Sequence, residues 1–461
     1  MREFTIKEIQ SKVEGKLIRG SEKATAKGIS IDSRNLDKDN VFFAIVGPNN
    51  NGHDYIEEVI NKGCKSLVVS DETAIPNDVD ANVLLVEDTT EALKKFGAKC
   101  VGDLNAKKVC ITGSVGKTTT RDMVYAIASE KYKAAKNHDN LNTVYGVPIV
   151  AAEIDKDTEV LVMEIGMDRK GEIDQLVNMI KPDIGVITNV GISHIENFNN
   201  KPIGILNAKM EITNCFDEDN LLIVNRTSPL LNEVNTKGNY RLQMVDTREA
   251  SGADAVVANI KNYGEKGIQF DLTIDGENYD VRLPIPGSHN AVNSALAILA
   301  GLELGIDVET AIKGLQKMEL TGKRLNFKKT ERILIIDDTY NACPDSMKSA
   351  LTTLVATEGE RKIAILGDMY ELGKNEIQEH RGVGEFADLL GLNAVVAIGK
   401  LGSHIGDRMV NEFTKVYTYP SKEDFYEEMA EIIQEGDTIL VKASRGMEME
   451  TIVDMLSEMF E

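Results

Sequence analysis

KVCITGSVGKTTT, residues 108–120, runs from an apolar, β-branched segment through two glycines into a threonine-rich one. That order reads as a strand, a tight turn and the first turn of a helix. Gly113 and Gly116 let the backbone fold back, so that several N–H groups and the positive end of the helix point at one anion. Lys117 is then placed to reach β- and γ-phosphates, and the Thr118 hydroxyl to ligate Mg²⁺. The candidate nucleotide loop is therefore Gly113, Ser114, Val115, Gly116, Lys117, Thr118 and Thr119. The usual GxxxxGK(S/T) spacing would put a glycine at Ile111, so this loop is a shortened variant.

Outward from the loop the pattern of apolar strand, turn and helix repeats. Further strands are expected at 159–166, 184–191 and 221–225 in one central domain, giving an α/β fold with a parallel sheet. Between 253 and 284 short alternating segments joined by Asn262, Gly264 and Asp275-Gly276 read as antiparallel strands appended to that sheet. Helical periodicity resumes at Asn290. After Gly322 a second α/β series, with strands at 333–338, 362–367, 394–399 and 437–442, reads as a Rossmann-like C-terminal domain. The shorter strands VFFAIV, SLVVS and VLLVE form a smaller N-terminal α/β domain. The expected domains are thus 1–105, 106–325 and 326–461, within the three that 461 residues suggest.

Composition narrows the function. Hydrophobic residues at 42% and charged ones at 27% are globular proportions, and the net charge is −22. So acidic a surface is poorly suited to duplex DNA or anionic membranes, which need clustered Lys and Arg, so neither is expected as a partner. The five scattered cysteines have no CxxC spacing, which argues against a disulfide framework and a structural zinc. With a charged N-terminus and no run of 18 apolar residues, a cytoplasmic protein is expected.

A nucleotide-hydrolysing site also needs carboxylates for magnesium. Glu164 closes the strand EVLVMEIG, where such an acid belongs. His194, in NVGISHIENF, follows a strand ending on the same sheet edge, where ligands bind in open α/β folds, and could hold a second metal or simply pack. Lys209 and Glu211, in NAKMEI, read by themselves as a charged helix face. Asn290 and Asn293 lie three apart on one helix, where amides could read adenine or merely cap it. Asp168-Arg169-Lys170-Gly171 satisfies the DxxG string of GTPases, but no NKxD accompanies it, so the match reads as accidental.

Together these strings resemble the Mur ligase family, the ATP-dependent amide-forming enzymes of peptidoglycan precursor synthesis, over nearly the whole chain. TGSVGKTT is similar to that family's ATP loop, EIGM to its metal strand, SHIE to its second-metal histidine and NAKMEI to its modified-lysine helix. The resemblance implies catalytic roles for Lys117, Glu164, His194 and Lys209, and Mg²⁺ held by Thr118, Glu164, His194 and a Lys209 carbamylated by CO₂. A bare ammonium about 4 Å from a divalent cation would be repelled by several kcal/mol even at an effective dielectric of about 20. His289, Asn290, Asn293, Arg324 and Asp338 are implied to bind ATP. DDTYNACPDSM, ILGDMYELG and LVKASRGMEME are most similar to the member that takes UDP-N-acetylmuramoyl-tripeptide and D-alanyl-D-alanine; the DNPR string of the neighbouring member is absent. Substrate contacts are implied at Ser33, Arg34, Phe43 and His53 for the UDP-sugar end, and at Asn140, Asn142, Tyr340, Asn341 and Asp368. Cys343, Ala443 and Thr143 depart from the common residues Asn, Gly and Asn.

The implied reaction is transfer of ATP's γ-phosphoryl to a carboxylate, attack by the amine and release of phosphate. Closure about hinges near 106 and 325 would exclude water. A monomer is expected. The alternatives are a related ligase joining other substrates, for example a folylpolyglutamate-type enzyme, or a non-catalytic ATP switch. Asp32-Ser33-Arg34 weighs against the folylpolyglutamate reading.

Overall fold

The computed structural model describes residues 2–234, 238–318 and 325–461. Three sheets that share no strand define three domains. The N-terminal sheet has five strands in the order Lys16–Arg19, Asn82–Leu85, Ser66–Val69, Val41–Phe43 and Ile29–Ser30, parallel except for the first pair. A small antiparallel pair, Glu3–Thr5 with Thr25–Lys27, lies beside it.

The central sheet has nine strands, and Lys107–Thr112 lies well inside it, between Val160–Glu164 and Ile184–Ile187. All three are parallel and fully buried towards their C-terminal ends, which is why their sequences read as unbroken apolar runs. Helices cover both faces. Thr89–Gly102, Gly146–Glu153 and Glu172–Ile180 pack on one side, and Lys117–Ser129, His289–Glu303 and Val308–Gln316 on the other.

The appended antiparallel strands are present as Ala255–Asn262, Ile268–Ile274 and Glu277–Leu283. They join the parallel sheet through Arg241–Asp246, which pairs in parallel with Leu221–Asn225 and, over two residues only, with Ala255–Val256. That connecting strand was not expected, because RLQMVD is half polar and carries no clean alternation. Ala134–Lys136, the other edge, was missed because three residues of AAK carry no strand signal.

The C-terminal sheet runs Asn326–Lys329, Leu334–Asp337, Asp437–Lys442, Arg361–Leu366, Ala394–Ile398 and Lys415–Tyr419, parallel except for its first pair. Its two edge strands were also unforeseen; their exposed polar residues hide the period. All five cysteines are free. Among the described residues no helix is long and apolar enough to cross a membrane.

Candidate active site

The strand Lys107–Thr112 ends at a bend that only glycine can make. Gly113 has φ +155°, and a Cβ there would lie 1.9 Å from Thr188 Oγ1. Gly116 has φ +82°, and its Cβ would lie 2.9 Å from the Asn293 amide nitrogen. The helix Lys117–Ser129 begins directly after it with no acid in its first turn, so its positive end is not neutralised from within. The residues after the neighbouring strand stitch the loop down. Asn189 Oδ1 accepts from the N–H groups of Ser114 (3.0 Å) and Val115 (2.9 Å), Gly191 N–H donates to Ser114 Oγ (2.9 Å), and Thr188 Oγ1 donates to Val115 O (2.6 Å). Lys117 folds back, its Nζ donating to Gly113 O at 3.0 Å.

Glu164 stands at the end of the adjacent strand and is buried. The Thr118 hydroxyl donates to its Oε2 (2.6 Å) and the Asn142 amide to its Oε1 (2.8 Å). Asn137 clamps its backbone by bonds to both N–H and C=O (2.8 and 3.0 Å). Beneath it, buried Arg121 bonds Asp122 (2.7 and 2.9 Å) and brings Nη1 to 3.8 Å from Glu164 Oε2. A hydroxyl and a carboxylate this close are hard oxygen donors suited to Mg²⁺.

Lys209 is buried on the helix Pro202–Met210. Burial, and then the charge of Lys117, pull its amine well below the ordinary lysine range. Among the described residues no three His, Cys, Asp or Glu side chains come together as a metal cluster. His194 turns elsewhere: in left-handed backbone (φ +60°), its Nδ1 lies 2.7 Å from Glu371 Oε2 and 3.4 Å from Asp168 Oδ1, without the alignment of a hydrogen bond.

Glu371 belongs to the C-terminal domain, so this contact crosses a cleft. The cleft encloses a cavity of about 700 Å³. One wall carries Lys117, Asn140, Asn142, Glu164, Asn189, His194, His289, Asn290 and Asn293; the other carries Asp338, Tyr340, Asn341, Asp345, Glu371, Lys442 and Arg445. Buried Lys442 pairs with Asp338 Oδ2 at 2.7 Å and donates to Asn341 O at 2.7 Å, while Leu325 N–H donates to Asp338 Oδ1 at 3.1 Å. The walls also touch through the Tyr340 hydroxyl, which donates to Asn140 Oδ1, and through His289 Nδ1 and Ser349 Oγ (2.6 Å). Burial, with the charge of Lys442 behind it, pushes the His289 imidazole down to about 4.

Residues 25–101 match the Mur ligase family catalytic domain, 111–301 the Mur ligase middle domain and 323–445 the Mur ligase glutamate ligase domain. The chain is 36% identical over 460 residues, 98% of each protein, to the UDP-N-acetylmuramoyl-tripeptide–D-alanyl-D-alanine ligase of Bacillus subtilis strain 168. The chain belongs to the Mur ligase family. Two solved family structures are similar over its length: MurF from Acinetobacter baumannii (TM-score 0.88, 29% identity, 99% of both chains) and MurF ligase from Thermotoga maritima in complex with ADP (TM-score 0.81, 26% identity, 94% of this chain and 97% of that one).

Within the Mur ligase frame, the structure gathers all but a few of the expected nucleotide, metal and tripeptide residues on the cavity. Gly113, Thr118 and Lys209 are not on its wall, and Arg324 lies outside the described residues. Asp368 is not on the wall either: its Oδ1 accepts from the N–H groups of Leu401 (3.0 Å) and Gly402 (2.7 Å), holding a turn. The Phe43 side chain is fully buried in the core, its ring 5.9 Å from that of Phe96. His53 is also buried, its Nδ1 bonded to Asn51 and its Nε2 accepting from Ser70 and Asp71 N–H (3.0 and 3.2 Å), so both ring nitrogens are spent on backbone and loop. Ser33 reaches Glu58 at 3.4 Å and exposed Arg34 pairs with Asp32; neither lines the cavity. Sequence reasoning missed Asn189, Asp345, Glu371, Lys442 and Arg445. The last two stand in the quoted LVKASRGMEME, but nothing local distinguishes Lys442 as buried.

Proposed function

We propose that the protein is an ATP-dependent ligase that joins D-alanyl-D-alanine to UDP-N-acetylmuramoyl-tripeptide, forming ADP and orthophosphate. The observation that carries this reading is the single cleft where the nucleotide loop and Glu164 face Asp338, Tyr340 and Lys442 of a second domain. The near full-length likeness to the Bacillus subtilis ligase supports the choice of substrates.

Joining a carboxylate to an amine in water is uphill, so the carboxylate must first be activated. The γ-phosphoryl of ATP passes to the tripeptide carboxylate, the bond to the β–γ bridging oxygen breaks, and an acyl phosphate results. The free amine of the dipeptide attacks the acyl carbon, orthophosphate departs, and the nitrogen gives up its proton. The protein positions the reactants and neutralises charge. Lys117 unfolds from Gly113 O to meet the migrating phosphoryl, and the loop amides and helix end hold the phosphates behind it. Asn290 and Asn293 face the base, while Asp338 and Arg324 take the ribose and phosphate side. Asn140, Asn142, Tyr340 and Asn341 contact the tripeptide, and Ser33 and exposed Arg34 serve the UDP end.

Magnesium, held by Thr118 and Glu164, would offset phosphate charge; His194 and a modified Lys209 would complete a second set. Burial favours the neutral form of the Lys209 amine, which is the form that attacks CO₂, giving a carbamate and a proton, and the carbamate would add an anionic oxygen ligand. We set the domain boundaries at 105/106 and 325/326, and place the protein in the cytosol as a monomer. Orthophosphate release tests the whole. It should require both the UDP-muramoyl tripeptide and D-alanyl-D-alanine; release without the dipeptide would favour an ATP switch, and release with other pairs a different ligase.

A further inference from the structure

The shortened loop raises a question of hydrogen bonding. Partly buried backbone N–H groups need acceptors, and a loop two residues short of the usual spacing has less chain with which to wrap all its amides around one phosphate. The N–H groups of Ser114 and Val115 both point instead at one atom, Asn189 Oδ1. Ser114 N–H is shared with the backbone oxygen of Asn189 at 3.2 Å. An atom that accepts from two backbone donors is an oxygen, so the orientation of the carboxamide is fixed. Asn189 also lies on the cavity wall, half-buried, close to where the phosphates would lie.

Resting on the nucleotide reading above, we propose that Asn189 is a positioning residue of the loop. Its side-chain oxygen fixes the two leading amides, so that Gly116 and the start of the helix Lys117–Ser129 present the anion site already formed. A neutral acceptor is required: aspartate would make the same two bonds more strongly, but would set a carboxylate beside the phosphates.

Calorimetric ADP binding in EDTA, which removes any metal contribution, reads this directly on the full-length protein, with thermal unfolding measured alongside. Asn189→Ala should weaken ADP binding at least about tenfold, because Val115 N–H loses its acceptor and Ser114 N–H keeps only the longer bond to the residue 189 backbone oxygen, with the KM of either cosubstrate changed less than about twofold. Asn189→Asp should recover the melting temperature yet bind ADP more weakly than Asn189→Ala. A folded Asn189→Ala that binds ADP within about twofold of wild type overturns the proposal. So does Asn189→Asp binding ADP as wild type does, a result open even where the alanine variant does not fold. Failure of the wild type to bind ADP both in EDTA and with Mg²⁺ present would instead sink the nucleotide reading itself.

Discussion

Two strand ends in this molecule solve the same local problem and reach different outcomes. After Ser66–Val69 in the N-terminal sheet, two consecutive amides, Ser70 and Asp71, donate to one side-chain acceptor, His53 Nε2. After Lys107–Thr112 in the central sheet, Ser114 and Val115 donate to Asn189 Oδ1. Beyond the first pair comes a three-residue 3₁₀ turn whose amide is capped by Asp71 itself, so the anion is supplied from within. Beyond the second come Gly116 and a thirteen-residue helix with no acid in its first turn. Capping strand-end amides makes a stable corner; an anion site also needs a helix end that the protein leaves unneutralised.

The sharpest way to break the contrast is Lys117→Ala. Turnover should fall about 10⁴-fold, some 5 kcal/mol of transition-state stabilisation, with an unchanged melting temperature. Near-normal amide synthesis would remove the central corner's claim to be a phosphate site. Lys209→Ala should cost about 10²-fold in kcat, restored in part by a small added carboxylic acid, while Lys209→Arg should not be restored. Full activity in CO₂-depleted buffer would refute the carbamate.

On the N-terminal side, His53→Ala should cost about 2 kcal/mol of stability, since two partly buried donors lose their acceptor, and leave the KM for the UDP-sugar substrate alone. A raised KM with unaltered unfolding would make His53 a ligand residue after all. The smallest effect concerns His289, which joins the two walls of the cleft. Its imidazole is pushed down to about 4 in the folded protein, below its ordinary value near 6.5, so the fold prefers it neutral. Its stabilisation is complete above pH 6.5 and is lost progressively as pH falls from there to about 4. Unfolding followed between pH 7 and 4 should show a shallower loss in His289→Gln; equal slopes would exclude this histidine as the cause.

The long buried strands of the central and C-terminal sheets were legible because a strand covered on both faces is apolar throughout. Short edges such as Ala134–Lys136 and Lys415–Tyr419 were not, since neighbours on one side only leave their composition free, and neither was half-polar Arg241–Asp246, which one neighbour covers over two residues only. Among site residues, the meeting of Thr118 with Glu164 beside Lys117 was legible as a placement, because all three follow directly from adjacent strand ends. Phe43 and His53 lie at a strand end and in a turn, and the fold spends their side chains on packing and on backbone and loop bonds, which no local pattern records.

By itself the sequence settled the alternation of strands and helices, the bend at Gly113 and Gly116, and the residue types that a phosphate requires, because each depends on neighbours a few positions away. Folding alone decided that Asn189 would cap a loop 75 residues earlier, that Tyr340 would meet Asn140 across 200 residues, and that His194 would face Glu371. Such pairs are chosen by the packing of sheets and helices against one another, and no local period records which distant residue will be opposite.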